Sequence, residues 1–316
     1  MLVSLYWEER KEGIIHHMSK VKKRNPIIAG LLSILFLGSG QLYNGQVKKA
    51  IIFALSIIPF YFLIGLLGLL RSFNGLLVSL ILLIAFMSYV FLDAVRWAVK
   101  QKNYQLKQVN SIKYYGAYII GWYILIFALP PLVKSIVGYE SFVIPTPSMM
   151  PSIMVDDKIM AWSIRPTDVK IGDIITFKRE DGQKYLSRVI GLPGDKIEII
   201  DDRVSINGQK EQWKEIQVIN HNGYEYQKYK SRLPNGKEIE TLKMLKFNGQ
   251  EIPPFENSNQ TESVVPVNTI YVLGDNRNNS MDSRIYGTIL FENTEKKVYY
   301  VWWSNDKNRI GLRLNE

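Results

Sequence analysis

The segment Ile144-Pro145-Thr146-Pro147-Ser148-Met149-Met150-Pro151 separates the last long apolar run of the chain from a polar half with β-strand patterns. Its prolines fix φ at about −65° and remove backbone donors, so the segment is expected to be a stiff loop. Such a loop would hold the Ser148 hydroxyl in place, as a serine nucleophile requires in addition to a base. The same composition is also typical of a proline-rich linker between a membrane part and a soluble part.

The first part of the chain is apolar and the second part is polar. The total length of 316 residues is enough for two domains. The formal net charge is +10, but much of the basic excess flanks apolar segments, where it would orient membrane helices rather than bind nucleic acid. The absence of cysteine excludes a thiol nucleophile and a disulfide. The histidines are His16, His17 and His221, so a histidine-rich metal site is excluded and a Ser-His-Asp triad would need His221. We expect no cofactor and no metal.

Three apolar segments, 50–70, 72–92 and 114–133, are each long enough to cross a bilayer as a helix. A shorter apolar run at 27–37 is followed by Gly-Ser-Gly-Gln-Leu-Tyr-Asn-Gly-Gln at 38–46, a composition typical of turns. Because the run is short and has basic residues on both sides, we expect a re-entrant or interfacial segment rather than a span. The sequence therefore predicts an α-helical membrane domain of about three spans.

The distribution of charge predicts the topology and the domains. The loop 93–113 carries five basic residues against Asp93 alone, so the positive-inside rule makes it cytoplasmic and directs the following helix outward. We expect a basic cytoplasmic tail at 1–24, a helical membrane domain at 25–113, a transmembrane anchor at 114–137 and an exported β-rich domain at 138–316. No cleavable signal peptide is recognised in the tail. Both Met1 and Met18 are compatible with the start of translation.

Short strand patterns follow one another in the second half. They lie at 155–162, 173–177, 185–190, 196–200, 204–206, 269–273 and 297–303. Asn207-Gly208 is a strong hairpin signal. Strands of this length, separated by glycine and proline turns, predict an antiparallel barrel or sandwich. The polar stretch at about 209–262 is interpreted as an inserted subdomain without recognisable chemistry.

Two segments are too polar or too tight for ordinary turns. Residues 188–195 read Arg-Val-Ile-Gly-Leu-Pro-Gly-Asp, and residues 274–284 read Gly-Asp-Asn-Arg-Asn-Asn-Ser-Met-Asp-Ser-Arg. In the second segment, Asp282 could pair with Arg277 or Arg284 and so support a site. A calcium-binding loop is an alternative, but the arginines within the segment argue against it.

Together, residues 148–151, 172–175, 187–195 and 274–284 resemble, in order and spacing, the sequence boxes of type I signal peptidases (leader peptidases). The resemblance implies a membrane-bound serine endopeptidase with a β-rich fold, which removes signal peptides from exported preproteins on the outer face of the cytoplasmic membrane. It implies preproteins, the lipid bilayer and the secretion machinery as partners. The glycine-rich part of the membrane region resembles TM2-type domains, and that likeness implies no chemistry.

The same resemblance implies a role for each matching residue. Ser148 would be the nucleophile, and the Thr146 hydroxyl with the Ser148 backbone N–H would form the oxyanion hole. Ser280 would orient the general base. Asp282 and Arg284 would form a structural ion pair beside the site.

One departure concerns the general base, because Ser187 stands where the family has a lysine. A serine hydroxyl cannot replace a lysine amine whose pKa burial lowers. The candidate substitutes are Lys184, Lys178 and Lys196. Lys184 is three residues from Ser187 along a strand, which places it on the opposite face.

Two hypotheses about function follow: an active signal peptidase, and a catalytically inactive signal-peptidase-like binding or accessory protein. A membrane scaffold with an exported β domain would explain the hydropathy but not residues 274–284.

Overall fold

The computed structural model describes residues 22–101, 103–253 and 256–315. The chain forms a helical unit that extends to Val137 and a β unit that begins at Gly138 and also includes residues 71–74. Most of the predicted tail, with the alternative start Met18, lies outside the described residues.

Apolar runs form the helices of the first unit. These are α1 (Pro26–Leu35), α2 (Ser39–Tyr43), α3 (Val47–Leu55), α4 (Ile57–Leu66), α5 (Phe73–Lys100) and α6 (Ile112–Val137). Three helical stretches are long and apolar enough to cross a membrane: Val47–Leu66, Phe73–Lys100 and Ile112–Val137. The ten-residue helix α1 is only about 15 Å long, which is too short to cross. The prediction of three apolar spans and one shorter segment is confirmed.

The glycine-rich segment 38–46 contains the short helix α2 with a turn at each end, rather than a continuous loop. Gly40 permits close packing, because a Cβ atom there would lie 2.2 Å from the Ala29 carbonyl oxygen. The Gln41 amide donates to the Val90 carbonyl at 2.8 Å, and the Asn44 amide donates to the Ala94 carbonyl at 2.9 Å. The polar residues of this segment therefore attach α2 to α5.

The β unit consists of fifteen short strands and one short helix in the described residues. They are β1 (Tyr139–Val143), β2 (Lys158–Ser163), β3 (Ile174–Lys178), β4 (Lys184–Gly191), β5 (Lys196–Ile200), β6 (Arg203–Ile206), β7 (Gln209–Lys210), β8 (Gln212–His221), β9 (Tyr224–Arg232), β10 (Glu238–Phe247), β11 (Gln250–Glu251), β12 (Gln260–Val264), β13 (Thr269–Leu273), α7 (Ser283–Tyr286), β14 (Ile289–Leu290) and β15 (Thr294–Trp303). The largest sheet has the order β1-β2-β15-β3-β4-β13-β14. Two four-stranded sheets have the orders β11-β10-β9-β8 and β12-β5-β6-β7. The strands of these sheets pair antiparallel, which confirms the mainly-β fold class.

Most of the predicted strands lie where the sequence indicated, and one strand begins later than predicted. The strand predicted at 155–162 begins only at Lys158, because Asp156 has a positive φ of 67° and turns the chain. The hairpin at Asn207 and Gly208 is present, with φ of 53° and 80°. The polar stretch after it supplies β8, β9 and β10, which pair as a meander.

Four apolar clusters form the core of the β unit, and one of them lies beneath the loop that carries Ser148. This cluster includes Ile144, Met149, Ile153, Ile159 and Ile174, and all five side chains are buried. Burying each such side chain stabilises the fold by roughly 1.5–3 kcal/mol. Residues on both sides of Ser148 are therefore anchored in the core.

Candidate active site

Ser148 lies in a single 3₁₀ turn, Pro147–Met149, between strands β1 and β2. Pro147 starts the turn, and the preceding Thr146 is extended, with φ of −125°. Met149 and Met150 are fully buried, whereas Ser148 is half-buried and Thr146 is exposed. The Thr146 Oγ1 and Ser148 Oγ atoms are 3.2 Å apart, within hydrogen-bonding distance. The loop thus presents two adjacent hydroxyls to solvent from a fixed backbone.

The polar loop 274–284 holds the Ser148 turn in place. The Asn276 backbone N–H donates to the Ser148 carbonyl at 3.0 Å, and the Asn276 side-chain amide donates to the Pro147 carbonyl at 3.1 Å. A Cβ atom at Gly274 would lie 2.1 Å from Ser280 Oγ and 2.6 Å from the Ser148 carbonyl oxygen. Only glycine leaves room for this approach, which brings Ser280 next to the turn.

Asp282 and Arg284 form a buried bidentate pair, with Nε–Oδ1 at 2.9 Å and Nη2–Oδ2 at 2.8 Å. The Asp282 carboxylate also accepts from the Gly274 backbone N–H at 3.0 Å. Arg284 Nη1 reaches Asp202 at 3.1 Å, and Arg284 Nη2 also donates to the Arg277 carbonyl. Burial raises the pKa of Asp202, although the charge of Arg284 offsets part of this effect. The pair therefore fixes the shape of loop 274–284 around Gly274.

Two further buried arginines bind that loop to the rest of the β unit. Arg188, on β4, pairs with Asp275 through Nε–Oδ1 at 2.8 Å and Nη2–Oδ2 at 2.6 Å. Arg277 pairs with Glu211 through two contacts of 2.8 Å, so it does not pair with Asp282. The carboxylates of Asp275 and Asp282 are therefore occupied by arginines, and no group of residues suited to a metal ion occurs among the described residues.

Ser187 is buried on β4, where its hydroxyl donates to the carbonyl of the preceding residue, Leu186, at 2.8 Å. The Ser280 hydroxyl is also buried and has no hydrogen-bond partner in the part of the chain that the structure describes, whereas the buried Tyr286 hydroxyl lies near Ser187. Burial raises the pKa of Tyr286 and the charge of Asp282 adds to this effect, whereas a contact with Ser187 lowers it in part. None of these hydroxyls is a base near neutral pH.

Lys184 lies in the same cleft as Ser148, but its amine binds carboxylates. Lys184 Nζ is 3.0 Å from Glu295 and 3.4 Å from Glu140. Partial burial lowers the pKa of Lys184, but the hydrogen bonds and charges of the two glutamates outweigh it and raise the pKa above its ordinary value. Lys184 therefore remains protonated near neutral pH.

The other two candidate lysines are also paired elsewhere. Lys178 contacts Glu295 at 3.2 Å, and Lys196 contacts Glu262 at 3.4 Å. His221 ends β8, and its ring nitrogen contacts the Asn222 amide at 3.3 Å. Over the described residues, the one hydrogen-bond partner of the Ser148 hydroxyl is Thr146.

A cleft of about 590 Å³ opens in front of Ser148. The cleft is lined by the end of β1 and the segment that follows it, from Phe142 to Ser148, and by residues 183–186. Thr146, Ser148 and Ser280 line the cleft, whereas Ser187, Asp282 and Arg284 do not contribute to its lining. Its walls are largely apolar, which suits an extended peptide with small or apolar side chains.

The sequence model of the family described as "Signal peptidase, peptidase S26" matches residues 117–303 of this chain, which is more than half of its length. The chain belongs to the signal peptidase family. The signal peptidase I of Rickettsia prowazekii (strain Madrid E) is 33% identical over 216 residues, which cover 58% of this chain and 81% of the relative. The signal peptidase I of Rickettsia bellii (strain OSU 85-389) is 33% identical over 225 residues, which cover 61% and 77%. A crystal structure of a signal peptidase I from Enterococcus faecalis is 24% identical and covers 40% of this chain and 93% of that chain, with a TM-score of 0.23.

The family is one of peptidases, and the three apolar helices indicate a membrane-associated member. The resemblance predicts a lysine at the position that Ser187 occupies. The structure brings Thr146, Ser148 and Ser280 to one cleft, but it brings no lysine amine to Ser148 among the described residues. A signal peptidase with this arrangement has a positioned serine without an evident proton acceptor.

Three residues that hold the site of this signal peptidase were missed by the sequence reasoning. Asn276 and Asp275 were considered only as oxygen donors of a calcium loop, and Glu211 lay in a stretch without recognisable chemistry. The adjacency of Asp275 and Asn276 to the arginines in loop 274–284 was a usable signal, since buried arginines need carboxylate partners. Glu211 carried no such signal, because it is 66 residues away from Arg277.

Proposed function

We propose that this chain is a membrane-bound endopeptidase of signal peptides, in which Ser148 is the nucleophile and turnover is slow. The observation that carries the proposal is the contact of 3.2 Å between Thr146 Oγ1 and Ser148 Oγ, on a turn whose carbonyl is bound by Asn276. Membership in the signal peptidase family supports the substrate class. The apolar cleft beside Ser148 supports the binding of an extended peptide.

In the proposed reaction, Ser148 Oγ attacks the scissile carbonyl carbon and the developing oxyanion accepts hydrogen bonds from the Thr146 hydroxyl and the Ser148 backbone N–H. The Ser148 proton passes to solvent water, and the tetrahedral intermediate collapses to an acyl-enzyme when the C–N bond breaks and the leaving nitrogen takes a proton from water. The mature protein then leaves with its new amino terminus. Water then attacks the ester, releases the signal peptide and restores Ser148. Oxyanion donors of this kind contribute roughly 10²–10³ in rate.

The slow step is the removal of the Ser148 proton. Ser187 cannot accept it, and Lys184 is protonated and bound to Glu295 and Glu140. A general base contributes roughly 10²–10⁴ in rate, so its loss leaves mainly the contributions of positioning and the oxyanion hole. Ser280, which would orient a base in the family, retains a buried hydroxyl without a partner in the described part of the chain.

The proposed location follows the charge distribution. The basic loop 93–113 would lie in the cytoplasm, and the β unit from Gly138 onward would lie on the outer face of the cytoplasmic membrane. The partners would be preproteins, the bilayer and the secretion machinery, and no nucleic acid is involved. No cofactor takes part in the proposed reaction.

The proposal is tested with the purified full chain in detergent micelles and a preprotein that carries a signal peptide. Mass spectrometry of the products measures cleavage. We expect slow cleavage at one site by the wild-type chain and no cleavage by Ser148→Ala. Cleavage that persists in Ser148→Ala would remove Ser148 from the mechanism.

A second candidate function is the binding of signal peptides without turnover, and the bound state of Lys184 favours it. This function predicts that the wild-type chain releases no product but still binds the preprotein. Crosslinking from a photoreactive residue at the end of the signal peptide would detect binding at the cleft. Product that depends on Ser148 would exclude this second function.

A further inference from the structure

Arg24 is a buried cation without a counter-ion among the described residues of the helical unit. It lies two residues before α1, and only 3% of its surface is exposed. Its Nε and Nη2 atoms are buried and have no hydrogen-bond acceptor within residues 22–101, 103–253 and 256–315. A guanidinium remains charged in proteins, so it cannot avoid this situation by losing a proton. An unpaired buried charge is strongly destabilising, which indicates that an anion from elsewhere completes the site.

Two tyrosine rings hold the guanidinium of Arg24. Its central carbon is 4.5 Å from the ring centroid of Tyr43 and 4.2 Å from that of Tyr104. Such contacts use the flat faces of a guanidinium and do not supply an acceptor for the N–H donors at its edge.

The cradle around Arg24 is built by several specific contacts. The Tyr104 hydroxyl donates to Asn110 Oδ1 at 2.9 Å, and the Tyr104 carbonyl accepts from the Lys22 backbone N–H at 2.8 Å. Gly45 has a positive φ of 77°, and a Cβ atom there would lie 1.8 Å from the Tyr104 hydroxyl oxygen. Tyr104 therefore reaches its place only because residue 45 is glycine.

No acidic residue between positions 22 and 137 is free to neutralise Arg24. Asp93 is the only acidic residue in this range, which contains twelve lysines and arginines. The Asp93 carboxylate is 2.5 Å from Lys49 Nζ and 3.0 Å from Gln41 Nε2, so it is already paired. Residues 22–137 thus carry a formal excess of eleven positive charges, twelve basic residues against one acidic residue.

We propose that the edge of Arg24 binds the phosphate group of an anionic glycerophospholipid. The guanidinium fork matches two phosphate oxygens, and basic sites at the ends of membrane helices attract anionic headgroups. On α1, directly after Arg24, Ile27, Leu31 and Ile34 are 71%, 56% and 58% exposed. These residues are three and four positions apart, so they share one helix face on which acyl chains can lie. This apolar face favours a lipid over free phosphate.

The test uses the delipidated full chain in detergent and a titration with 1-palmitoyl-2-oleoyl-phosphatidylglycerol, followed by native mass spectrometry. We expect one saturable lipid on the wild type and a loss of affinity of about tenfold or more in Arg24→Gln, as for a lost charge-assisted bond. Lys23→Gln is the matched control, because Lys23 is adjacent and exposed and its loss should weaken binding by less than about fivefold. Equal affinities in Arg24→Gln and the wild type would overturn the proposal.

Three further arms make the result specific. Arg24→Lys keeps the positive charge but loses the two-pronged guanidinium, so it replaces Arg24→Gln as the test variant if Arg24→Gln does not fold. A lipid affinity of Arg24→Lys equal to that of the wild type would contradict the proposed contact of the guanidinium with two phosphate oxygens. Millimolar inorganic phosphate should not displace the lipid, and full displacement would assign the site to free phosphate. Glu8, Glu9 and Glu12 are the rival counter-ions in the sequence. Lipid affinity that rises in the triple Gln variant would assign Arg24 to them instead of to lipid.

Discussion

Arg188 and Asp275 form a bidentate ion pair whose side chains are 3% and 1% exposed. Asp275 directly precedes Asn276, whose backbone N–H binds the Ser148 carbonyl. Removing one member of a buried pair leaves the other charge alone, so Asp275→Asn should lower the free energy of unfolding by about 3–5 kcal/mol. Guanidinium titration of the full chain in micelles, followed by tryptophan fluorescence, measures this loss. Glu262→Gln breaks the exposed pair with Lys196 and should cost less than about 1 kcal/mol, so equal losses would contradict the argument.

Lys184 is protonated near neutral pH because Glu295 and Glu140 raise its pKa. We therefore expect Lys184→Met to leave the rate constant of Ser148-dependent cleavage nearly unchanged, although substrate binding can weaken because Lys184 lines the cleft. If Lys184 were the general base, its loss would lower the rate constant by roughly 10²–10⁴. Single-turnover cleavage of a saturating preprotein separates the two outcomes, and Lys196→Met is the control for the loss of a lysine outside the cleft.

The sequence was informative wherever local pattern determines structure. The long apolar runs, the short strands and the Asn207-Gly208 hairpin all follow from the residues themselves. It was least informative about pairings across the fold, since Arg188 and Asp275 are 87 residues apart and Arg277 and Glu211 are 66 apart. Such partners are selected by tertiary packing, which no local pattern encodes.

The start of β2 illustrates the same limit on a smaller scale. The sequence predicts a strand from residue 155, although the strand begins only at Lys158. The positive φ of Asp156 and a hydrogen bond from its backbone N–H to the Ile144 carbonyl instead close a turn around the Ser148 loop. The family resemblance predicted the candidate site. That Lys184 does not replace the missing lysine follows only from its ion pairs with Glu295 and Glu140 in the structure.

The contribution of Glu295 to the stability of the β unit should decrease as the pH becomes acidic. Burial raises its pKa, but hydrogen bonds from Lys184 and Lys178 outweigh this and hold the pKa below its ordinary value of 4.5. The stabilisation is therefore present above that value and is lost as the pH falls through the lowered pKa in the folded state. Between pH 5 and pH 3, we expect the thermal midpoint of Glu295→Gln to fall less steeply than that of the wild type. The difference should be small, since partly exposed ion pairs contribute less than about 1 kcal/mol. Parallel curves would show that Glu295 does not contribute.

Gly274 should tolerate no side chain, because a Cβ atom would lie 2.1 Å from Ser280 Oγ and 2.6 Å from the Ser148 carbonyl oxygen. Gly274→Ala must displace one of them, at a cost of about 1–3 kcal/mol, and should reduce Ser148-dependent cleavage strongly. Cleavage and thermal unfolding of the same preparation distinguish a displaced turn from global unfolding. Gly116→Ala is the matched control, since a Cβ atom there meets nothing within 4 Å, and equal cleavage by both variants would count against the packing argument.

Ser187→Lys should restore a base to the site. Ser187 is buried near Tyr286, and the buried Ser280 hydroxyl has no partner among the described residues, so these hydroxyls offer acceptors to a lysine amine. Burial would lower the pKa of this amine toward neutrality, where its uncharged form accepts the Ser148 proton. We expect the rate constant for cleavage to rise by roughly 10² or more and to increase with pH as the amine loses its proton.

Two controls decide whether that gain comes from base catalysis. Ser187→Met has a long apolar side chain without an amine, so it should show no rise if the gain depends on the proton acceptor rather than on filling space. The double variant Ser148→Ala with Ser187→Lys should be inactive, because the base then has no nucleophile to activate. A chain that binds preprotein but remains inactive after Ser187→Lys would mean that the defect lies beyond the base, in the position of Ser148 relative to the bound peptide. In that case the contact between Thr146 and Ser148 would no longer support a catalytic role.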